Sequence, residues 1–315
     1  MSRRQRARQL RIRLDLMAAR KTYRLAWSDR TLELGKRTCI MGVVNVTPDS
    51  FSDGGKFFDT EVAIAQGEKL AADGADILDV GGESTRPFSD PVSVDEEIRR
   101  VVPVIEQLAQ RVSIPISIDT TKAEVARQAL EAGAAIINDV AALRFDPGLA
   151  ALAAEFDTPL ILMHMLGEPK SMQVAPRYDN LVEDICSFLE DAVARAVKLG
   201  VSRSKIIVDP GIGFGKTVTH NLLLLKHVQA FSSLDLPVLI GASRKAFIRK
   251  ILRQTQEEDI RPDLPIVEIG TQAAVAAAVL YGAHIVRVHD VANTVATVKI
   301  LDALRDAEES SDLGF

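Results

Sequence analysis

Eight short apolar runs in this chain each end on a polar or charged residue. The runs are CIMGVVNV, DILDVGGE, IPISIDT, AAIINDV, PLILMHM, KIIVDPG, PVLIGAS and HIVRVHD. They deliver Asn45, Glu83, Asp119, Asn138, His164, Asp209, Ser243 and His289. Asp119, Asn138 and Asp209 can all accept hydrogen bonds, and a carboxylate takes two parallel bonds from a guanidine-like edge. Brought together, they suit a flat heterocycle carrying N–H donors. Asn45 offers a hard amide oxygen of the kind Mg²⁺ takes. Arg287 and His289 are two residues apart, so they share one face of a strand. With Arg86, whose planar fork suits phosphate, they could hold a diphosphate. Each residue has a plainer reading. Asp119 and Asp139 could cap the helices that follow, and Arg86 could be a surface arginine in a turn. His164 reads better as a satisfied near-core histidine than as a site residue.

Three glycine-rich or basic segments accompany these ends. GGESTRP (81–87) places two glycines where backbone could approach a ligand closely. DPGIGFGKT (209–217) superficially resembles a phosphate loop, but the Walker spacing requires glycine where Pro210 stands. A turn lining a pocket, with Phe214 as a packing face, fits that segment better. GASRKAF (241–247) sets Ser243, Arg244 and Lys245 at a helix start, where cations oppose the helix dipole unless a ligand compensates.

Elements must position these residues, and the runs themselves indicate which. Continuous Val/Ile/Leu runs are the pattern of buried parallel strands. Helical patterns separate them, at 60–73, 93–110, 121–132, 147–156, 179–199, 220–230, 244–254, 266–281 and 291–307. Ser93 with Glu96 three residues on predicts a capping box, and Gly200 predicts a helix stop. Residues 22–34 alternate around Ser28-Asp29 and predict a β-hairpin. Eight strand–helix units in this length predict an α/β fold, a (β/α)₈ TIM barrel with a short N-terminal β-hairpin. An open sheet with a second small domain is the alternative. In such barrels the C-terminal strand ends carry the chemistry, with phosphate sites near strands seven and eight.

Composition narrows the function classes. The 315 residues hold 38 basic and 43 acidic side chains, a net charge of −5, which argues against generic nucleic-acid binding. No apolar stretch approaches a membrane span. The two cysteines, Cys39 and Cys186, read as buried free thiols of a reducing cytoplasm. Six arginines crowd residues 1–13 with no apolar core behind them, so a signal peptide is not indicated. We expect a basic tail over 1–20 and a single catalytic domain over 21–310.

The segments GVVNVTPDSFSDGG, ADILDVGGESTRP, ISIDTTKAEV, INDV, LMHMLGEPKSMQ, IIVDPGIGFGK, GASRK and RVHDV occur in the order of one family. Over roughly residues 38–300 the chain resembles the dihydropteroate synthases of folate biosynthesis. That resemblance implies a pterin-binding barrel, a transferase joining p-aminobenzoate to (7,8-dihydropterin-6-yl)methyl diphosphate, with Mg²⁺ as cofactor. The products would be 7,8-dihydropteroate and pyrophosphate. It places Asp119, Asn138, Asp209 and Lys245 on the pterin, and Asn45, Arg287 and His289 on the diphosphate and its metal. Thr85, Arg86, Pro87, Phe214 and Ser243 would border p-aminobenzoate. Asp53 would help close the first loop. Asp53, Asp119 and Lys245 are the expected catalytic residues. A cytoplasmic homodimer is implied, with no nucleic-acid or membrane partner. Phe88-Ser89, Leu166 and Ala246 depart from the family pattern. A pterin-binding methyltransferase domain would share the pterin-facing acids, but has no use for a p-aminobenzoate wall or a diphosphate pair; intact Asn45, Asp53, Arg86, Lys245 and His289 argue against a non-catalytic paralogue that binds pterin only.

Overall fold

The computed structural model describes residues 20–28, 30–46, 56–84, 91–168, 171–255 and 260–307. Asp53, Thr85, Arg86, Pro87, Phe88 and Ser89, together with the arginine-rich tail, lie outside the described residues.

All eight apolar runs form parallel strands. They are β3 (Cys39–Asn45), β4 (Ile77–Gly81), β5 (Ile116–Asp119), β6 (Ile136–Asp139), β7 (Leu160–Met163), β8 (Ile206–Asp209), β9 (Leu239–Ile240) and β10 (Ile285–Val288). The sheet order β8-β7-β6-β5-β4-β3-β10-β9 is closed by a parallel bridge between Val208 and Val238. The result is a barrel. The hairpin forms from β1 (Tyr23–Trp27) and β2 (Arg30–Leu34), paired antiparallel.

Nine α-helices occur among the described residues: α1 (Lys56–Ala72), α2 (Val94–Arg111), α3 (Ala123–Glu131), α4 (Gly148–Glu155), α5 (Leu181–Lys198), α6 (Val218–Lys226), α7 (Ala246–Leu252), α8 (Pro265–Leu280) and α9 (Val291–Asp306). Two local expectations are corrected. Ser93 caps α2 through the Glu96 N–H, but the Glu96 carboxylate turns to Arg99 and Arg100, so the reciprocal half of the box is absent. Ion pairs with two neighbouring guanidiniums outcompete one backbone N–H. Cys186 is half-buried rather than buried.

Side chains alternate across each strand, and this alternation divides the interior into layers. Leu78, Val80, Ile118 and Ile137 point outward into the helix-facing core. Met41, Ile77, Ile136, Ile161, Ile207, Leu239 and Ile285 point inward and fill the N-terminal end of the barrel. There they pack with Leu25, Trp27 and Leu34 of the hairpin, which plugs that end. Two residues beyond Ile77, Ile136, Ile207 and Ile285 on the same faces stand Asp79, Asn138, Asp209 and Arg287, and Ser117 pairs with Asp79. The barrel is therefore apolar at the bottom and polar toward the mouth.

Candidate active site

One carboxylate organises the polar layer. Asp79, fully buried in β4, accepts from Asn138 Nδ2 at 3.0 Å and from Arg287 Nε at 2.5 Å, both at Oδ2. The Arg287 guanidinium reaches across to Asp119, with Nη2 to Oδ2 at 2.7 Å. Burial works against the Arg287 charge, and Asp79 and Asp119 more than offset it, so the guanidinium stays charged. Burial pushes Asp119 well above the usual carboxylate range; Arg287 pulls it back, while Asp79 and Glu97 push it further up. Asp119 thus serves the network and caps no helix: the Ala123 N–H that opens α3 is bound by Asp146. Asp139 does act locally, accepting from Ala141 and Leu143 N–H groups.

The 209–217 segment forms a second wall. Side chains hold several of its backbone groups, as a buried loop requires. Gly211 N–H donates to Asp209, Gly213 N–H to Asn221 Oδ1, Gln173 donates to Gly213 O, and Tyr178 to Gly215 O. Lys216, nearly fully buried, donates to Phe214 O at 2.9 Å and lies 3.0 Å from His164 Nδ1. The loop so held presents Phe214, and Lys245 Nζ lies 3.9 Å from its ring centroid. Lys245 therefore borders both Phe214 and the acids: it lowers Asp119 and Asp209, whose burial raises the latter to about 6. Burial pulls Lys216 down to about 7. His164 is lowered to about 2, by burial first and then by Lys216. It packs edge-on against Phe188, so its reading as a structural histidine holds.

At the mouth, Ser243 Oγ lies 2.9 Å from His289 Nδ1 and accepts the His289 backbone N–H at 3.3 Å. Arg244, expected to need a ligand, is instead compensated by Glu268. Asn45 ends β3 with its side chain exposed. Among the described residues no three His, Cys, Asp or Glu side chains cluster to hold a metal. Mg²⁺ needs no such cluster, since it keeps waters and shares substrate phosphates with one or two protein oxygens. A lone exposed amide at the mouth is compatible with that mode. Glu83 joins an ion cluster: Lys122 bridges it to the buried Glu97, and it accepts the Val92 N–H at 3.3 Å. Glu83 thus ties together the residues on either side of the TRP segment.

Sequence reasoning named Asn45, Asp119, Asn138, Asp209, Phe214, Ser243, Lys245, Arg287 and His289 as candidates, and the structure sets all of them on the inner strand faces or the loops of one barrel end. It missed Asp79 and Lys216. The signal for Asp79 was present: it lies two residues before Gly81, the relation used to pair Arg287 with His289.

Comparison with known proteins agrees with this geometry. The family model described as "Pterin binding enzyme" matches residues 41–289. A dihydropteroate synthase from Synechocystis is 47% identical over 270 residues, 86% of this chain and 91% of that protein. The structure of Xanthomonas albilineans dihydropteroate synthase with 4-aminobenzoic acid superposes with a TM-score of 0.82 at 42% identity, covering 91% of this chain and all of the other. The same enzyme in complex with 7,8-dihydropteroate gives 0.79 at 41% identity, over 90% of this chain and 100% of that one.

Proposed function

The chain belongs to the dihydropteroate synthase family, and on that premise we propose how its own residues carry the reaction. It condenses p-aminobenzoate with (7,8-dihydropterin-6-yl)methyl diphosphate to give 7,8-dihydropteroate and pyrophosphate. The observation that carries the site assignment is the acceptor set of buried Asn138 and Asp209 with half-buried Asp119, beside Lys245, Lys216 and Arg287. A pterin ring presents an amino-pyrimidine edge of N–H donors and a carbonyl acceptor. The carboxylates and the amide take the donors, and Lys245 takes the carbonyl. Phe214 and Ser243, with Thr85, Arg86 and Pro87, border p-aminobenzoate.

The bond that breaks joins the pterin methylene carbon to a diphosphate oxygen, and the electron pair leaves with pyrophosphate. Arg287 and His289 take up the developing charge of that leaving group, a role suited to preorganised hydrogen-bond donors. Asn45 would hold Mg²⁺, which when bound neutralises diphosphate charge. Asp119, near the pterin, stabilises the positive charge on the electron-rich ring. The neutral aniline nitrogen of p-aminobenzoate then bonds to the methylene carbon and loses a proton to solvent. Asp53 and the loop around it help exclude water, which would otherwise capture the cation. The test is pyrophosphate release from the pterin diphosphate, with p-aminobenzoate and Mg²⁺ each present or withheld. Multiple-turnover release dependent on both additions supports the reading; sustained turnover without p-aminobenzoate would overturn it.

We further propose a cytoplasmic homodimer formed by helices away from the mouth. Supporting the dimer, Leu222 and Leu223 on α6, Ile251 on α7 and Ile266 and Ile269 on α8 are exposed apolar side chains on adjoining helices. Ile269, 65% exposed, is the natural probe. Ile269→Glu is expected to move the sedimentation profile from dimer toward monomer; an unchanged profile would place any interface elsewhere.

A further inference from the structure

We infer that Asp79 is a positioning residue, one carboxylate that sets Asn138 and Arg287 together. This rests on reading those two as pterin and diphosphate ligands. Asp79 sits in the middle of β4 and is fully buried, so it serves the site through its neighbours. Its Oδ2 receives both the Asn138 amide and the Arg287 Nε–H.

The chemistry of an ionised carboxylate makes this arrangement directional. It accepts and cannot donate. Asn138 must therefore turn its NH₂ group toward Asp79, which leaves its carbonyl oxygen to meet an N–H donor. A neutral or donating group at 79 would let the amide rotate and present the wrong atom to the pterin. The guanidinium is planar and rigid. Fixing Nε on Asp79 and Nη2 on Asp119 fixes that plane, and leaves Nη1 and one Nη2 proton for a ligand. Register supports the coupling. Gly81 at the end of β4 pairs with Asp119, and Asp119 pairs with Asn138. The β4 backbone, the two acids and the amide therefore sit on adjoining strands at neighbouring register positions. Asp79 in this way coordinates the pterin side of the site with the diphosphate side, and among the described residues it has no hydrogen bond to Phe214 or Ser243 of the p-aminobenzoate border.

The experiment compares Asp79→Ala and Asp79→Asn with the native chain. Readouts are the affinities for 6-hydroxymethyl-7,8-dihydropterin and for pyrophosphate, the KM for p-aminobenzoate at saturating pterin diphosphate, and the melting temperature. Asp79→Ala removes the shared acceptor and is expected to weaken both affinities roughly 10- to 100-fold, the range for a charge-assisted buried bond. Asp79→Asn keeps one acceptor oxygen but not the charge, and is expected to recover part of that loss, ending roughly 3- to 10-fold below native. The KM for p-aminobenzoate stays within about twofold in both, inside the scatter of a contact that is untouched. A purely structural role would lower the melting temperature without this split between ligands. Affinities within about twofold of native in the folded variants would overturn the proposal. If Asp79→Ala does not fold, Asp79→Asn alone decides by the same criterion. Arg287→Ala and Asn138→Ala run alongside. If they too bind like the native chain, the assignment of the site itself has failed; if they lose affinity while the Asp79 variants do not, only the positioning role has failed.

Discussion

Asp209 shows how function and stability pull apart at a single residue. Burial lifts its carboxyl to about 6, against the Gly211 N–H and the Lys245, Lys216 and Arg287 charges that lower it. A folded-state value above the unfolded 3.8 means the native chain holds that proton more tightly. Stability contributed by this group is complete below the unfolded value and is lost as pH rises through about 6. At pH 7 the ionised form costs the fold about 3 kcal/mol. Pterin recognition needs that ionised form to accept N–H bonds. Two results follow. Pterin affinity in a titration from pH 8 to pH 5 is expected to fall as pH drops through about 6; a flat profile would contradict the role. Asp209→Asn should raise the melting temperature at pH 7 to 8 and lose pterin binding roughly 10- to 100-fold, because a neutral amide removes the burial cost together with one acceptor. Lys245→Ala should lose pterin binding by a similar factor while its circular dichroism stays native, and turnover like the native chain's would remove Lys245 from the site. Arg287→Ala should weaken pyrophosphate binding most; calorimetry with pyrophosphate checks it.

The element that most needs its sequence is the 209–217 loop. Gly211 adopts φ +72°, and a Cβ there would lie 1.9 Å from the carbonyl oxygen of His164. No side-chain movement relieves a clash with backbone, so Gly211→Ala must displace the loop that carries Phe214. Gly282, after α8, has φ +106° but no atom within 4 Å of its would-be Cβ. Alanine there meets backbone strain alone, about 1–2 kcal/mol. We expect Gly282→Ala to lower the melting temperature modestly with kcat/KM unchanged. Gly211→Ala should reduce kcat/KM at least about tenfold, the cost of misplacing a positioning element. Equal behaviour of the two would contradict the loop's role. Elements of this kind were partly legible in the sequence. The eight strands and the hairpin could be read because continuous apolar runs and strict alternation are strong local signals. The strand ends gave most of the site for the same reason: a polar residue terminating an apolar run is conspicuous. Asp79 was hidden because it stands inside the run DILDV, where it looks like an interruption rather than an end. Lys216 was hidden because its partners, His164 and the Phe214 carbonyl, become neighbours only after the barrel closes. Glu96 shows the opposite failure: Ser93 caps the helix as the motif predicts, but the second half of the expected box does not form, because two arginines on the same helix took the Glu96 carboxylate.

Across the whole molecule, the barrel separates stability from chemistry along its axis. The hairpin and the inward aliphatic layer close the bottom, while the buried charges lie toward the mouth. His284 belongs to the closed end. It receives the Val238 N–H at Nδ1 and donates from Nε2 to the Lys21 carbonyl, which fixes it as a neutral ring against Tyr23. Burial lowers its pKa to about 4, the Lys21 bond opposing. A base held below its unfolded value of 6.5 makes the unfolded chain the better proton binder between the two values. Stability from His284 is therefore present above about 6.5 and drains as pH falls toward 4. The carboxylates near the mouth have the opposite slope in this range, so the net curve of the native chain does not isolate either group. A non-titrating replacement does. Glutamine can still accept from Val238 and donate to Lys21. His284→Gln is expected to melt lower than native at pH 7.5 and to close that gap by up to about 3 kcal/mol as pH falls to 4, the free energy of the displaced titration. Because His284 lies at the hairpin end, kcat/KM at pH 7.5 should match the native chain at temperatures where both are folded. A variant whose stability gap stays constant with pH would show that His284 does not carry the acid sensitivity of the closed end. A matching loss of turnover would show that the two ends of the barrel are coupled rather than separate.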